Sequence, residues 1–152
     1  MADSLNFIMR PAARADATEL ARLRCESLCE LGLLPAGDAR SFVRSAAREF
    51  SAALGAERLA AWLLVAEGRV VGSACALFWE RLPYAESSLH AELAGVYVAA
   101  AFRKRGFARA LCREAIAEAR ARGARRIFVH PSHAGRRLYR ELGFTDDHQM
   151  RL

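Results

Sequence analysis

The stretch Val98-Ala99-Ala100-Ala101-Phe102-Arg103-Lys104-Arg105-Gly106-Phe107-Ala108 carries the strongest structural signals of the chain, because a strand, a turn and a helix start meet within it. An apolar run over 92–98 leads into it, and a helical pattern of apolar residues follows from Ala108. The first turn of a helix has backbone N–H groups without intrahelical partners, and the helix dipole adds positive potential there. Gly106 and Ala108 leave that backbone uncovered, and the basic run 103–105 adds charge. The pattern therefore predicts a phosphate site at this turn.

The turn also has a simpler interpretation, because glycine is common at strand-to-helix turns for backbone reasons and basic residues often face solvent. The charge distribution favours the anion site. Residues 103–140 contain twelve Arg or Lys and two Glu, a local net charge of +10 in a chain whose total is +6. We expect no nucleic-acid partner, because the positive charge is focused at the turn, and Phe107 and Phe128 fit core or cofactor-facing positions.

Length and composition predict a single globular domain spanning residues 1–152. The chain is 53% hydrophobic and 26% charged, as in soluble globular proteins. It is too short for two domains that each bury a sizeable core. Its longest uncharged runs, such as Leu93–Phe102, fall short of the ~20 residues that span a bilayer. The N-terminus lacks the basic-then-apolar pattern of a signal peptide. We therefore expect a cytoplasmic protein without a membrane partner.

The cysteine pattern predicts neither a metal site nor a disulfide. Cys25 and Cys29 are four residues apart on a predicted helix, whereas Cys75 and Cys112 stand alone. The chain has no Cys-x-x-Cys pair, and its four histidines do not complete a zinc-binding spacing. The helical pair is typical of small core residues.

Hydrophobic periodicity and turn residues predict a mixed α/β order of elements. The first half contains strand 7–9, a helix opened by the capping box Asp16-Ala17-Thr18-Glu19, a helix capped by Asp38 and ending at Gly55, and hairpin strands 62–66 and 70–79. The second half contains strand 90–98, a helix from Ala108 to Gly123, strand 126–130, helix 135–142 and a final strand after Phe144. The hairpin makes the first half of the sheet antiparallel. The crossover helix makes the strands at 92–98 and 126–130 parallel.

Two segments resemble the paired motifs of the GNAT acetyltransferase superfamily. The turn at 103–108, five residues after Val98, is similar to motif A, R-x-x-G-x-A. Ser132–Phe144 (SHAGRRLYRELGF) is similar to motif B, which ends in L-Y-x-x-x-G-F. The motifs lie at the usual separation, and the resemblance covers nearly the whole chain. It implies a GNAT-like fold with a mostly antiparallel sheet of six to seven strands, splayed at a parallel pair, and about four helices.

The resemblance implies acetyl-CoA as co-substrate. In such proteins the backbone amides of the motif A turn, here 103–108, hold the pyrophosphate, and nearby basic side chains meet the ribose phosphate. The preceding strand carries a bulge, and its exposed backbone, here Val96, Tyr97 and Val98, pairs with the pantetheine arm. Ser132 lies where many relatives have an Asn that contacts the cofactor. Gly135 replaces a common Ala, which favours closer backbone approach.

The resemblance also implies the catalytic groups. Tyr139 matches the general acid, which contacts the cofactor and protonates the departing thiolate. Glu92 matches the glutamate base of the histone-acetyltransferase branch, and strand alternation places residues 92, 94, 96 and 98 on one face. A Glu at the solvated end of a strand is an equally simple interpretation. His90 on the same face and Glu80 through a water chain are alternative bases.

The identity of the acetyl acceptor is the property that the sequence determines least. In this family its pocket is built from the first two helices, their connection and the loop at 80–89. Glu26, Glu30 and Asp38 could attract a cationic amine there, or could be solvated helix charges. His130 could line the cleft, although a hydrogen-bonded core histidine is favoured. We expect a small-molecule amine or amino acid, with a protein N-terminus or lysine, or non-catalytic acyl-CoA sensing, as alternatives; exposed sheet edges are compatible with a homodimer.

Overall fold

A five-stranded sheet forms the centre of the computed structural model, which describes residues 6–83 and 87–148. The strands are adjacent in space in their chain order: β1 (Phe7–Pro11), β2 (Leu59–Ala66), β3 (Arg69–Glu80), β4 (Leu89–Val98) and β5 (Arg126–Val129). The first four pair antiparallel, and β4 pairs parallel with β5. The predicted mixed sheet with one parallel pair is confirmed.

The sheet has five strands in the described residues, fewer than the six to seven that the resemblance implies. A final strand was expected after Phe144, but residues 145–148 form none. Residues 149–152 lie outside the described part of the chain. The polar segment after Phe144 lacks the apolar alternation of a strand, and its Asp146 instead faces two arginines of the preceding helix, Arg136 at 3.5 Å and Arg140 at 3.7 Å.

Four helices cover the sheet in the described residues: α1 (Ala17–Glu30), α2 (Ala39–Gly55), α3 (Phe107–Ala121) and α4 (Arg136–Glu141). α3 connects β4 to β5 and packs on one face, where Leu111 joins a cluster with Leu64 and Leu93. α1 and α2 cover the opposite face, where Leu20 packs with Leu63 and other residues of β2. The two helix layers place α3 and the end of α1 at the same end of β4.

Three further observations concern the described residues as a whole. No helix among them has the length and apolar character needed to cross a membrane. Across residues 6–83 and 87–148, no group of three or more His, Cys, Asp or Glu side chains is arranged to hold a metal ion. The four cysteines are free thiols, and Cys25 is buried while Cys29 is half-buried.

The start of α1 differs from the predicted capping box. Asp16 occupies the N-cap position, but its side chain makes no capping hydrogen bond to the helix. It accepts two hydrogen bonds from the Arg10 guanidinium, each 2.8 Å, and one from the Ala13 N–H, also 2.8 Å. The prediction was wrong because the Asp16 carboxylate is directed back to Arg10 and to the Ala13 N–H, away from the first N–H groups of α1. Asp38 likewise forms no side-chain cap on α2.

A β-bulge in β4 sets the direction of the side chains that follow it. The pairing with β3 joins Ala94 to Cys75 and Tyr97 to Ser73, so β4 carries one extra residue between these pairs. Gly95 occupies the bulge with φ +58°, and its carbonyl accepts a hydrogen bond from the Ser73 hydroxyl at 2.9 Å. The bulge that the resemblance implied is therefore confirmed.

The same bulge overturns the expectation that residues 92, 94, 96 and 98 share one face. Val96 and Val98 pack with Leu93 on the α3 side. Glu92 is on the opposite side, together with Tyr97, whose hydroxyl reaches α1. Side chains alternate with a period of two along a strand, so one inserted residue inverts every position after it.

Candidate active site

β4 and β5 separate partway along β4. Their parallel pairing covers only His90–Leu93 on β4 and Arg126–Val129 on β5. β4 then continues to Val98 without pairing to β5. One edge of the β4 backbone therefore has no strand partner at 96–98, the residues predicted to meet the pantetheine arm. Such an edge can pair with an extended ligand as another strand would.

The turn between β4 and α3 leaves the start of the helix uncovered. Gly106 has φ +81°, a left-handed conformation that glycine adopts without strain, and no atom lies within 4 Å of where a Cβ would be. α3 begins at Phe107, and no side chain caps it. Its first N–H groups have no intrahelical acceptor, and exposed Lys104 and Arg105 stand beside them. This geometry suits an anion.

Arg103 joins this turn to β4 and α1. Its Nε donates to the Val98 carbonyl at 2.7 Å, and its Nη2 donates to one Glu30 oxygen at 2.6 Å. The Tyr97 hydroxyl donates to the other Glu30 oxygen at 2.6 Å, and the Arg103 guanidinium lies over the Tyr97 ring. The hydrogen bonds from Tyr97 and Arg103 lower the pKa of Glu30. The Arg103 side chain thus holds the turn in place, whereas Lys104 and Arg105 supply its exposed charge.

Tyr139 lies half-buried on α4, beside the α3 core. Its ring meets that of Phe144 edge-on, with centroids 5.9 Å apart, and packs against the cluster that contains Leu111 and Cys112. Burial, with a smaller contribution from Cys112, raises the pKa of Tyr139 to about 12. The phenol therefore keeps its proton throughout the neutral range, as a proton donor requires.

Gly135 makes room for that ring. A Cβ on residue 135 would lie 2.9 Å from Tyr139 Cε2 and 3.3 Å from Ser132 Oγ. The sequence led us to expect a close approach to the backbone at Gly135. The group that makes this approach is the ring of Tyr139, a contact that the sequence did not indicate. Ser132 Oγ accepts a hydrogen bond from the Gly135 N–H at 3.2 Å and shapes the loop before α4. The role of Ser132 toward a cofactor stays a prediction.

Glu92 and His130 form a hydrogen-bonded pair on the sheet face opposite α3. Glu92 Oε1 lies 2.9 Å from His130 Nδ1. The side chain of Glu92 is 27% exposed and that of His130 is 75% exposed. His130 is hydrogen-bonded, as expected, but it is not a core residue, because β5 ends at Val129 and leaves the ring in the open.

His90, an alternative base, is buried at 3% exposure. It packs in a cluster of rings with Trp79 and Phe128, whose centroids are 6.0 and 5.8 Å away, and its Nδ1 has no hydrogen-bond partner. Burial, followed by the charges of nearby arginines, lowers the pKa of His90. The ring is therefore neutral and covered by its neighbours. Glu80, the other alternative, is exposed at the end of β3.

Two of the three acidic residues considered for the acceptor are already paired. Glu26 accepts a hydrogen bond from Arg22 at 2.6 Å, and Glu30 is held by Tyr97 and Arg103. Asp38 is exposed before α2. The carboxylate next to the point where β4 and β5 separate is that of Glu92.

A cleft of about 720 Å³ runs along the outer edge of β5. His130 and Tyr139 both border it, together with Phe128 and Phe144. None of residues 96–98 or 103–108 lines this cleft. It is therefore distinct from the open edge of β4, although it brings His130 and Tyr139 to one space.

Residues 25–144 match the model of the Acetyltransferase (GNAT) family. No curated protein matches the chain. Among solved structures, a predicted acetyltransferase with acetyl-CoA from Clostridium acetobutylicum is similar, with a TM-score of 0.86, 23% identity and coverage of 97% of this chain and 96% of that one. A GCN5-related N-acetyltransferase from Ralstonia eutropha JMP134 gives a TM-score of 0.83 at 21% identity, covering 97% of each chain.

The aminoglycoside N-acetyltransferase AAC(6')-Iy in complex with CoA is also similar, with a TM-score of 0.74, 21% identity and coverage of 100% of this chain and 96% of that one. At these identities the structural likeness establishes the fold alone. The family model covers most of the chain, including the bulged strand, the basic turn and the helix that carries Tyr139. On that match, the chain belongs to the GNAT family of acetyltransferases.

Proposed function

We propose that this protein transfers the acetyl group of acetyl-CoA to the primary amine of a small molecule or amino acid, by direct attack in a ternary complex. The proposal is carried by one juxtaposition: the uncapped start of α3 lies beside the open edge of β4. Helix N–H groups bind phosphates, and an open strand edge pairs with an amide-containing arm, so the two features suit the two ends of one ligand. Family membership supports acetyl transfer as the reaction.

The phosphates would lie on the backbone of residues 103–108. Gly106 leaves open space there, and Lys104 and Arg105 supply exposed positive charge. The pantetheine arm would pair with the backbone of Val96, Tyr97 and Val98, and Ser132 and Tyr139 would then meet the thioester end of the ligand. Two structures of similar fold contain acetyl-CoA or CoA, which supports this choice of ligand.

Proton transfer is needed at both ends of the reaction. The acceptor nitrogen loses a proton before its lone pair attacks the thioester carbonyl carbon, and we assign the base function to the hydrogen-bonded pair of Glu92 and His130. The Tyr139 hydroxyl protonates the thiolate as the C–S bond breaks. Its raised pKa, about 12, is consistent with this role because the proton is retained until it is needed.

The surface around Glu92 supports a small acceptor that combines an amine with an apolar group. Leu77, which pairs with Glu92 across β3 and β4, is 36% exposed. Trp79 lies further along the same face of β3. One structure of similar fold is that of an aminoglycoside N-acetyltransferase, and an aminoglycoside is a small-molecule acceptor. A protein or peptide amine is the alternative acceptor, and non-catalytic acyl-CoA sensing the alternative function.

A binding and turnover experiment tests the proposal. Saturating acetyl-CoA should raise the Tm, because a ligand that binds only the folded state stabilises it. Release of free CoA is then measured with a panel of small amines, amino acids and peptides. No Tm shift would contradict the cofactor assignment. A Tm shift without CoA release from any acceptor would favour the sensor, and release with peptides alone would favour the peptide acceptor.

A further inference from the structure

We propose that His130 is the base that deprotonates the acceptor amine and that Glu92 is the residue that positions it. The inference rests on the proposed acetyltransferase function and deepens it at the acceptor side. It starts from the 2.9 Å contact between Glu92 Oε1 and His130 Nδ1. A carboxylate and an imidazole in this arrangement are the recurring parts of a base whose orientation is set by its partner.

The contact determines which nitrogen of His130 is available. A carboxylate only accepts hydrogen bonds, so Nδ1 carries the proton and donates it to Glu92. The lone pair of the neutral ring is then on Nε2, and within the described chain His130 is hydrogen-bonded through Nδ1 only. An unoccupied ring nitrogen with a fixed direction is what a proton acceptor requires.

Exposure assigns the two residues to different roles. The His130 side chain is 75% exposed, whereas that of Glu92 is 27% exposed. The imidazole therefore extends beyond the carboxylate and reaches an incoming amine first. Glu92, lying beneath it, orients the ring and compensates the charge that develops when the ring takes a proton.

The fold places this pair where the reaction would occur. Glu92 is in register with Phe128, one residue before β4 and β5 stop pairing, and His130 is the first residue beyond β5. His130 also borders the same cleft as Tyr139, the proposed acid. Base and acid thus lie on either side of the end of β5.

Titratable and charged groups on several elements line the surroundings of His130. β4 supplies Glu92 and the buried His90, and the loop after β3 supplies Arg81, whose guanidinium lies over the Phe128 ring at 5.5 Å. Along the cleft, the further charged residues are Arg126 of β5, Arg136 and Arg140 of α4, and Asp146 and Asp147 after it. Among these groups, Glu92 makes the hydrogen bond to the ring.

Atoms and protons balance in the proposed step. The ammonium of the acceptor gives one proton to His130 Nε2, and the freed lone pair forms the C–N bond at the thioester carbonyl. The C–S bond breaks, and the thiolate takes the proton of the Tyr139 hydroxyl. The nitrogen then loses its second proton, which replaces the one that Tyr139 gave. The products are the acetamide and CoA thiol, and the proton on His130 returns to solvent.

The experiment compares His130→Asn, Glu92→Gln and the control His148→Asn, an exposed histidine after α4. The Asn side chain retains an N–H near the position of Nδ1, so His130→Asn keeps a donor to Glu92 but removes the base. Rates of CoA release are measured from about pH 6 to about pH 10, and His130→Asn is expected to lower kcat by about 100-fold near neutrality. The loss should shrink toward high pH, where the amine arrives deprotonated. The KM for acetyl-CoA should stay unchanged, and His148→Asn should behave as the wild type.

Two further readouts separate a base from a structural residue. Imidazole should restore rate to His130→Ala, because the site is exposed, and should not restore Glu92→Gln, whose loss should be smaller than that of His130→Asn. Nitrogen NMR of the unliganded protein should show the Nδ1–H tautomer of His130, with that preference weakened in Glu92→Gln.

Several outcomes would overturn the proposal while the proposed function stands. These are a wild-type rate and pH profile in His130→Asn, an equal loss at every pH without imidazole rescue, a larger loss in Glu92→Gln, or an Nε2–H tautomer in the wild type. If acetyl-CoA raised no Tm and no amine released CoA, the proposed function would fail, and this inference with it.

Discussion

The ring of Tyr139 lies against the backbone of Gly135, so closely that a Cβ on residue 135 would come within 2.9 Å of Tyr139 Cε2. Gly135 itself has an ordinary right-handed conformation, with φ −83°. Glycine is therefore needed there for space and not for backbone freedom. The position of Tyr139, the proposed acid, therefore depends on residue 135 having no Cβ.

Gly135→Ala is expected to lower kcat by about tenfold, because the Tyr139 ring must shift and small misplacements of a reacting group are costly. Binding of acetyl-CoA should weaken less than kcat falls. Gly37→Ala is the matched control, since no atom lies within 4 Å of a Cβ there. An unchanged kcat in Gly135→Ala would show that the contact does not position the acid.

Tyr139→Phe keeps the ring and removes the hydroxyl, so it isolates the proton donor. We expect kcat to fall by about 100-fold, the typical contribution of a general acid. The Kd for acetyl-CoA, measured by calorimetry, should change little because the ring packing is retained. A variant with normal kcat would remove Tyr139 from the chemistry.

The pH–rate profile tests the environment of the same hydroxyl. Burial raises the pKa of Tyr139 to about 12, so the phenol stays protonated well above neutrality. The rate should therefore show no decline between about pH 8 and about pH 10 that is attributable to this group. A fall in rate with rising pH in that range, present in the wild type and absent in Tyr139→Phe, would contradict the expectation.

Gly95→Ala and Gly32→Ala form a pair that separates strain from function. Both glycines have positive φ, +58° and +67°, but a Cβ at Gly95 would lie 3.3 Å from Cys75 Sγ, whereas nothing lies within 4 Å at Gly32. Urea unfolding should show a loss of about 1–2 kcal/mol in each for the left-handed conformation, and a larger loss in Gly95→Ala. Only Gly95→Ala should weaken acetyl-CoA binding, because the bulge positions the backbone at 96–98. Equal binding in both variants would argue against that backbone as the pantetheine site.

The Asp16–Arg10 pair predicts a pH-dependent stability. The hydrogen bonds from Arg10 lower the pKa of Asp16 below its ordinary value of 3.8. A carboxyl with a lowered native pKa stabilises the fold above its unfolded pKa, and that stability is lost as the pH falls through the native value. Asp16→Asn should cost about 1 kcal/mol at neutral pH, at the low end for charge-assisted bonds because Arg10 is partly solvated.

Urea midpoints of wild type and Asp16→Asn measured at neutral and acidic pH test this. Their difference should shrink below pH 3.8, the ordinary pKa of the group. Asp38→Asn at the start of α2 is the control, because Asp38 also makes no side-chain cap. A difference that is constant with pH would show that the charge of Asp16 contributes nothing.

Much of this architecture was predictable from residues that are near each other in the chain. Apolar runs bounded by turn residues predicted the strands, helical spacing predicted α3, and the basic turn with Gly106 indicated an anion site from local sequence alone. Asp16 illustrates where local signals fail. Its sequence context predicts a cap, but Arg10 of β1 takes its carboxylate instead.

The contacts that define the candidate site required the fold. One extra residue at Gly95 inverts Val96 and Val98 relative to Glu92, and strand periodicity alone does not reveal where such an insertion lies. Glu92 and His130 are far apart in the chain and meet only because β4 and β5 pair in one particular parallel register. Elements arise from local periodicity, whereas a site arises from register and packing between distant segments, where a slip of one residue changes which side chains meet.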